Sequence, residues 1–319
     1  MARWRSPVIH ASGGFMETWI AITLAAAFFQ NVRSAMQKHL KGVMGTTGAT
    51  FVRFGYGVPF ALLYLVILFY GFGYESPVPG AAFFGWAIVG GGAQIAATFL
   101  LVHLFSFRNF AVGTAYSRTE PAQAALFALV FAGERASSGT LVAIAISVAG
   151  VMIISVARTA VSLRSLLLSV TSRTALIGLL SGTFFGLSGV SYRYASLSLA
   201  PSLAEPNYLT QAAFTLGFVI IFQTVVMLVW ILLRERSELR KVARAWRPAL
   251  LVGFVGATAS FGWFMAMTLQ QAAMVKVVAQ VEMLFTFASS VFIFRENINR
   301  LEVLGCLLIT VGVVVLVLI

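Results

Sequence analysis

Charged side chains are scarce in this chain, and those that fall inside long apolar runs are the ones whose chemistry calls for a reason. Arg118 and Glu120 lie in one such run, and Lys276, Gln280 and Glu282 lie in another. A charge at the centre of a bilayer costs at least ~2.5 kcal/mol on insertion scales, so a chain that keeps one there has a use for it. The cations Arg118 and Lys276 could hold an anionic group, a carboxylate first of all. The carboxylates Glu120 and Glu282 could bind an ammonium group or carry a proton, because a buried carboxylic acid is easier to protonate than an exposed one. A coupled proton is the only cofactor-like role these residues suggest, and no bound cofactor is expected.

Helical spacing sorts these groups into faces. Thr114, Arg118 and Ala122 share one stripe, and the corresponding stripe in the second run holds Lys276, Gln280 and Leu284. Tyr116, Glu120 and Gln123 share another, matched by Val278, Glu282 and Phe285. Arg118 and Glu120 are two residues apart, about 200° around a helix, so they should not pair within one helix. Gln30, Asn31, Gln94, Tyr116, Tyr192 and Trp263 are further polar or aromatic lining candidates. The opposing reading is that Glu120 and Glu282 each form a buried ion pair, with Arg53 or another nearby cation, and only fix helix packing. Arg53 is read as structural. Glu134 and Glu296 fall at helix ends in tight turns and read as caps or turn anchors.

Several chemistries are excluded. All ten acids are glutamates, Cys306 is the single cysteine, and only His10, His39 and His103 carry imidazole, so no nucleophile–base or metal set is visible and no enzyme is expected. No GxxxxGK[ST] loop is present, so ATP is not the direct energy source. The net charge of +12 could suggest nucleic acid. Most of the cations, however, lie in short segments between apolar runs, as in loops facing anionic lipid. The expected partners are a small-molecule substrate and the lipid bilayer, with no nucleic acid.

The elements that must position these groups are membrane helices. Hydrophobic residues make up 60% of the 319, and charged residues only 10%. The apolar runs are about 20 residues long, enough to cross hydrocarbon as helix, where the backbone must satisfy its own hydrogen bonds. They fall near 17–38, 48–71, 81–105, 111–132, 139–157, 174–196, 207–233, 248–270, 273–294 and 299–319. The expectation is an all-α integral membrane protein of ten transmembrane helices. Residues 158–173 read as an interfacial linker, and residues 234–247 as a basic interfacial stretch. Fourteen of the 22 Lys and Arg lie in the odd-numbered loops, against four on the other side with both termini (Arg3, Arg5, Arg135 and Arg193). The positive-inside rule then puts the odd loops in the cytoplasm and the termini outside.

The chain also repeats itself. A shift of 162 residues brings Gly91 onto Gly253, Phe99 onto Phe261, Glu120 onto Glu282, Glu134 onto Glu296 and Gly150 onto Gly312. Two glutamate-on-glutamate matches among ten glutamates carry far more information than apolar coincidences. The repeat unit has five helices, residues 1–157 and 174–319, and an odd number makes the two copies insert in opposite senses.

Each copy closes with the same pattern, SRTEPAQAALFALVFAGERASSGTLVAIAISVAGVMIISV and then AQVEMLFTFASSVFIFRENINRLEVLGCLLITVGVVVLVL. In this the chain resembles the EamA type of the drug/metabolite transporter superfamily. Pro121 matches the proline usual in that helix, where the second copy has Met283, and Arg53 in FVRFGYG resembles the arginine common in the second helix of the repeat. The resemblance implies a ten-helix bundle that exports metabolites such as amino acids by alternating access across an inner membrane. It also implies termini in the cytoplasm, against the charge count. The glutamate that small multidrug relatives use in their first helix has no counterpart here, because Glu17 sits at the membrane edge. The function expected is secondary transport, with a channel or a non-transporting scaffold as the alternatives.

Overall fold

The computed structural model describes residues 14–104, 106–107, 110–157, 171–292 and 299–318, and every regular element among them is helical. The order is α1 (Gly14–Leu40), α2 (Thr46–Gly55), α3 (Val58–Val66) continued by a π turn (Ile67–Gly71), α4 (Ala81–Leu104), α5 (Phe110–Ser117), α6 (Glu120–Ala132) and α7 (Ser138–Ala157). Then come α8 (Arg173–Leu197), α9 (Tyr208–Arg234), α10 (Arg236–Arg244), α11 (Trp246–Leu269), α12 (Ala272–Ala279), α13 (Glu282–Phe292) and α14 (Arg300–Leu318).

Side chains and turns mark the ends. Ser172 accepts from the Ala175 N–H to open α8, and Asn207 accepts from Leu209 and Thr210 to open α9. Gly133, at φ 66°, closes α6: its N–H reaches the Leu129 carbonyl and that of Glu134 reaches Ala128. Glycine takes that left-handed conformation without strain. The basic stretch 234–247 forms α10 and the start of α11. Glu238 on α10 turns inward and accepts from the Gly45 N–H at 2.7 Å, just ahead of α2, and from Lys241 at 2.6 Å. Most of the expected linker 158–173 lies outside the described residues.

Seven helical stretches among the described residues are long and apolar enough to cross a membrane: 46–71, 81–104, 138–155, 173–202, 208–234, 246–269 and 300–318. The other three of the ten expected runs differ for a physical reason. α1 is continuous, but Gln30, Asn31, Arg33 and Gln37 interrupt its apolar character. The runs at 111–132 and 273–294 are not single helices. Each breaks after two turns, at residues 118–119 and at 280–281.

The first break follows from Pro121, which has no N–H to offer the Ser117 carbonyl four residues back. The chain tightens instead, with Arg118 N–H on the Ala115 carbonyl at 3.1 Å and Thr119 N–H on Tyr116 at 3.2 Å. The second break has no proline. Gln280, Val281 and Met283 make the same three-residue bonds, to Val277, Val278 and Gln280. Side chains stabilise both breaks: Gln280 Nε2 donates to the Arg118 carbonyl at 3.2 Å, and Asn31 Nδ2 to the Glu282 carbonyl at 3.4 Å.

The helices α5, α6 and α7 recur as α12, α13 and α14, each beginning 162 residues later. Packing is crosswise: α1 lies along α11, α8 along α4, and α7 along α14. Small residues let these axes approach. A Cβ at Gly178 would overlap the Gly113 backbone, and one at Gly253 would overlap the Tyr56 backbone. Leu63, Val66, Leu126, Val130, Trp230 and Leu233 stay exposed on the outside, an apolar surface suited to lipid and costly in water.

Candidate functional site

The two helix breaks face one another across the middle of the bundle, and the charges sit at them. Arg118 follows the last residue of α5, and Glu120 opens α6. Lys276 lies in α12, and Glu282 opens α13. Because the break takes the residues between out of helical register, Arg118 and Glu120 do not answer each other. Each finds a partner from the opposite half of the chain.

Arg118 meets Glu282 with both terminal nitrogens, at 2.9 and 3.3 Å, the bidentate geometry that makes guanidinium–carboxylate pairs strong. Lys276 Nζ meets Glu120 Oε1 at 2.6 Å. Gln30 from α1 donates to Glu282 at 3.1 Å, and the Trp263 indole N–H from α11 donates to the Gln30 carbonyl oxygen at 2.9 Å. The Lys276 ammonium stands 5.3 Å from the centre of the Trp263 ring, a cation–π contact in a desolvated place. Glu282 is 3% exposed, and Arg118 and Gln30 meet its charge there.

These groups line a cavity of about 60 Å³. That is room for a few waters. Arg118, Lys276, Glu120, Glu282, Gln30, Gln94 and Trp263 all form its wall. Three other lining candidates do not. Gln280 braces the Arg118 carbonyl, and Asn31 braces that of Glu282. Tyr116 packs in a separate cluster with Ala115 and Ala175. Its placement corrects the expectation of a cavity-facing tyrosine, since the break after Ser117 ends the stripe that would have carried Tyr116 alongside Glu120.

The three structural charges divide as well. Arg53 lines the cavity, with one nitrogen donating to Thr98 Oγ1 at 2.9 Å, and it is not the partner of either site glutamate. Glu134 pairs with Arg193 at 3.3 Å, and Arg193 also donates to the Met267 and Gln270 carbonyls at 2.7 Å each, tying the end of α6 to the end of α11. Glu296 lies outside the described residues.

The sequence reading assigned no role to Arg33, Gln223 or Ser260. Gln223 donates to Gln94 at 2.8 Å, to the Tyr192 hydroxyl at 3.1 Å and to the Gly91 carbonyl at 3.2 Å, while Tyr192 donates to Gln94 at 3.0 Å. An amide in the middle of IIFQTVVM was the available signal. Arg33 and Ser260 line the cavity wall.

Residues 172–318 match the model of the EamA-like transporter family. A solved structure described only as "Crystal structure of protein" is similar in fold, with a TM-score of 0.67 at 15% identity, over 95% of this chain and 98% of that one. No curated protein matches the sequence.

Proposed function

We propose that this chain, a multi-pass membrane transporter of the drug/metabolite type whose residues 172–318 carry the EamA-like match, is a secondary carrier. It exports small polar or charged metabolites, such as amino acids or related compounds, across an inner membrane by alternating access. Its framework in this reading is ten membrane crossings in two oppositely inserted halves, residues 1–157 and 174–319, with the basic loops in the cytoplasm and the termini outside. The broken runs 111–132 and 273–294 count as crossings because their interruption is buried in protein, where irregular backbone at membrane depth is tolerated.

One observation carries the reading: two ion pairs cross between the halves at helix breaks 162 residues apart, and both line one central cavity. Half-helix ends and scarce charges meeting at mid-depth are what a carrier uses to grip a solute. The ion pairs interlocked across the cavity favour a carrier over a channel, which needs a continuous path. Exchange of a solute for the crossed pairs would loosen one half from the other and let them rock.

Reconstitution into proteoliposomes tests this. Flux of a recognised solute should saturate and be competed by unlabelled solute, and Arg118→Gln and Lys276→Gln should each abolish it while the protein remains folded by circular dichroism. Flux that rises linearly with concentration, or that both variants retain, would refute the reading.

A further inference from the structure

The charges on the cavity wall do not balance. Among the described residues Arg33, Arg53, Arg118 and Lys276 line it, against Glu120 and Glu282. Both carboxylates are committed, Glu282 to Arg118 and Gln30 and Glu120 to Lys276. Arg33 and Arg53 are left without an ion pair among the described residues.

Both are deeply buried, at 5% and 4% exposure. Nε and Nη1 of Arg33 and Nε of Arg53 have no protein hydrogen-bond partner among the described residues, and a hydroxyl, Thr98, is the acceptor for Arg53 Nη1. The two side chains run side by side. A Cβ placed on Gly256 would stand 3.3 Å from Arg33 Cδ and 3.7 Å from Arg53 Cγ, so both stems pass close to Gly256. Guanidinium keeps its proton in proteins, so neither arginine escapes the cost of burial by becoming neutral. Two adjacent unpaired cations in a low-dielectric place repel one another and each lose hydration. An arrangement this costly calls for an anion, and two excess charges call for two negative ones.

We propose that the cavity binds a small dianion, a dicarboxylate or a phosphomonoester, whose negative groups pair with Arg33 and Arg53. The planar fork of each guanidinium suits bidentate contact with carboxylate or phosphate oxygens. Ser260 on the same wall offers a hydroxyl to the rest of the molecule. A zwitterion brings no net charge and leaves both arginines as they are. The transport of this dianion rests on the carrier reading above, whereas its binding can be measured without it.

The test uses the purified full chain in detergent, with thermal unfolding followed at matched ionic strength in succinate, glycerol 3-phosphate, propionate or alanine. Succinate or glycerol 3-phosphate should raise the unfolding midpoint, and which of them does so separates the dicarboxylate from the phosphomonoester. Arg33→Gln and Arg53→Gln should each raise the half-saturating concentration by about tenfold or more, the worth of a charged hydrogen bond. Each should also raise the midpoint without ligand, because an unpaired buried charge is gone. Stabilisation by propionate or alanine alone, no response to either dianion, or unchanged dianion binding in both variants would overturn the assignment. Dianion binding without flux in proteoliposomes would instead overturn the carrier reading and leave the dianion site standing.

Discussion

At the scale of single residues, the centre of the molecule is held by a few contacts that each depend on a partner from the other half. Removing the Glu282 charge alone leaves Arg118 opposite a neutral amide, and removing Arg118 strands a carboxylate that is 3% exposed. Breaking such a buried pair costs about 3–5 kcal/mol, while replacing both members by neutral groups costs far less. Arg118→Gln and Glu282→Gln should therefore each destabilise the protein by several kcal/mol, and the double variant should recover most of the loss. A double-mutant cycle from denaturation in detergent measures this, and additive losses would mean that the two side chains act independently. The identity of these residues was legible in the sequence, because glutamates are few and two of them recur at a fixed shift. Their pairing was not. It depends on which half-helix faces which, and both arrangements put the same residues in the same apolar runs.

At the scale of elements, the breaks in 111–132 and 273–294 and the close helix contacts decide where the charges stand. Pro121 hinted at the first break. Nothing in the sequence marked the second, where Met283 keeps its N–H and the interruption is sustained by Gln280 and Asn31 reaching across to carbonyls. Hydropathy sees side chains and is blind to such bonds, so continuous helices and a cavity-facing Tyr116 were the natural expectation. Glycines make the closest of these helix contacts. Gly178 on α8 meets Gly113 on α5 backbone to backbone, and α5 leads directly into Arg118. Gly178→Ala should push α5 outward and lower stability by about 1–3 kcal/mol, as overpacking does. Because the shift is passed to Arg118, solute flux in proteoliposomes should fall more than the thermal midpoint alone would explain. Unchanged flux at a lowered midpoint would show that the contact serves stability only.

At the scale of the whole molecule, the recurrence of α5, α6 and α7 as α12, α13 and α14 and the crosswise packing of α1 on α11 and α8 on α4 bring the two halves to a shared centre. The 162-residue offset between these three helices and their counterparts could be read in advance because polar matches survive in an apolar background. The excess of positive charge at the cavity could not, since Arg33 on α1 and Arg53 on α2 come together only in the fold, where both lie beside Gly256 on α11. The central claim is that the cavity opens to each side of the membrane in turn. Cys306 is the only cysteine, so a Cys306→Ser background carrying Ser260→Cys gives a single reporter on the cavity wall. Its rate of reaction with a membrane-impermeant thiol reagent, applied to one face of oriented vesicles and then to the other, is the most direct measurement. Labelling from both faces, slowed from each by a bound solute, is the predicted result; labelling from one face only, or from neither, would contradict the account.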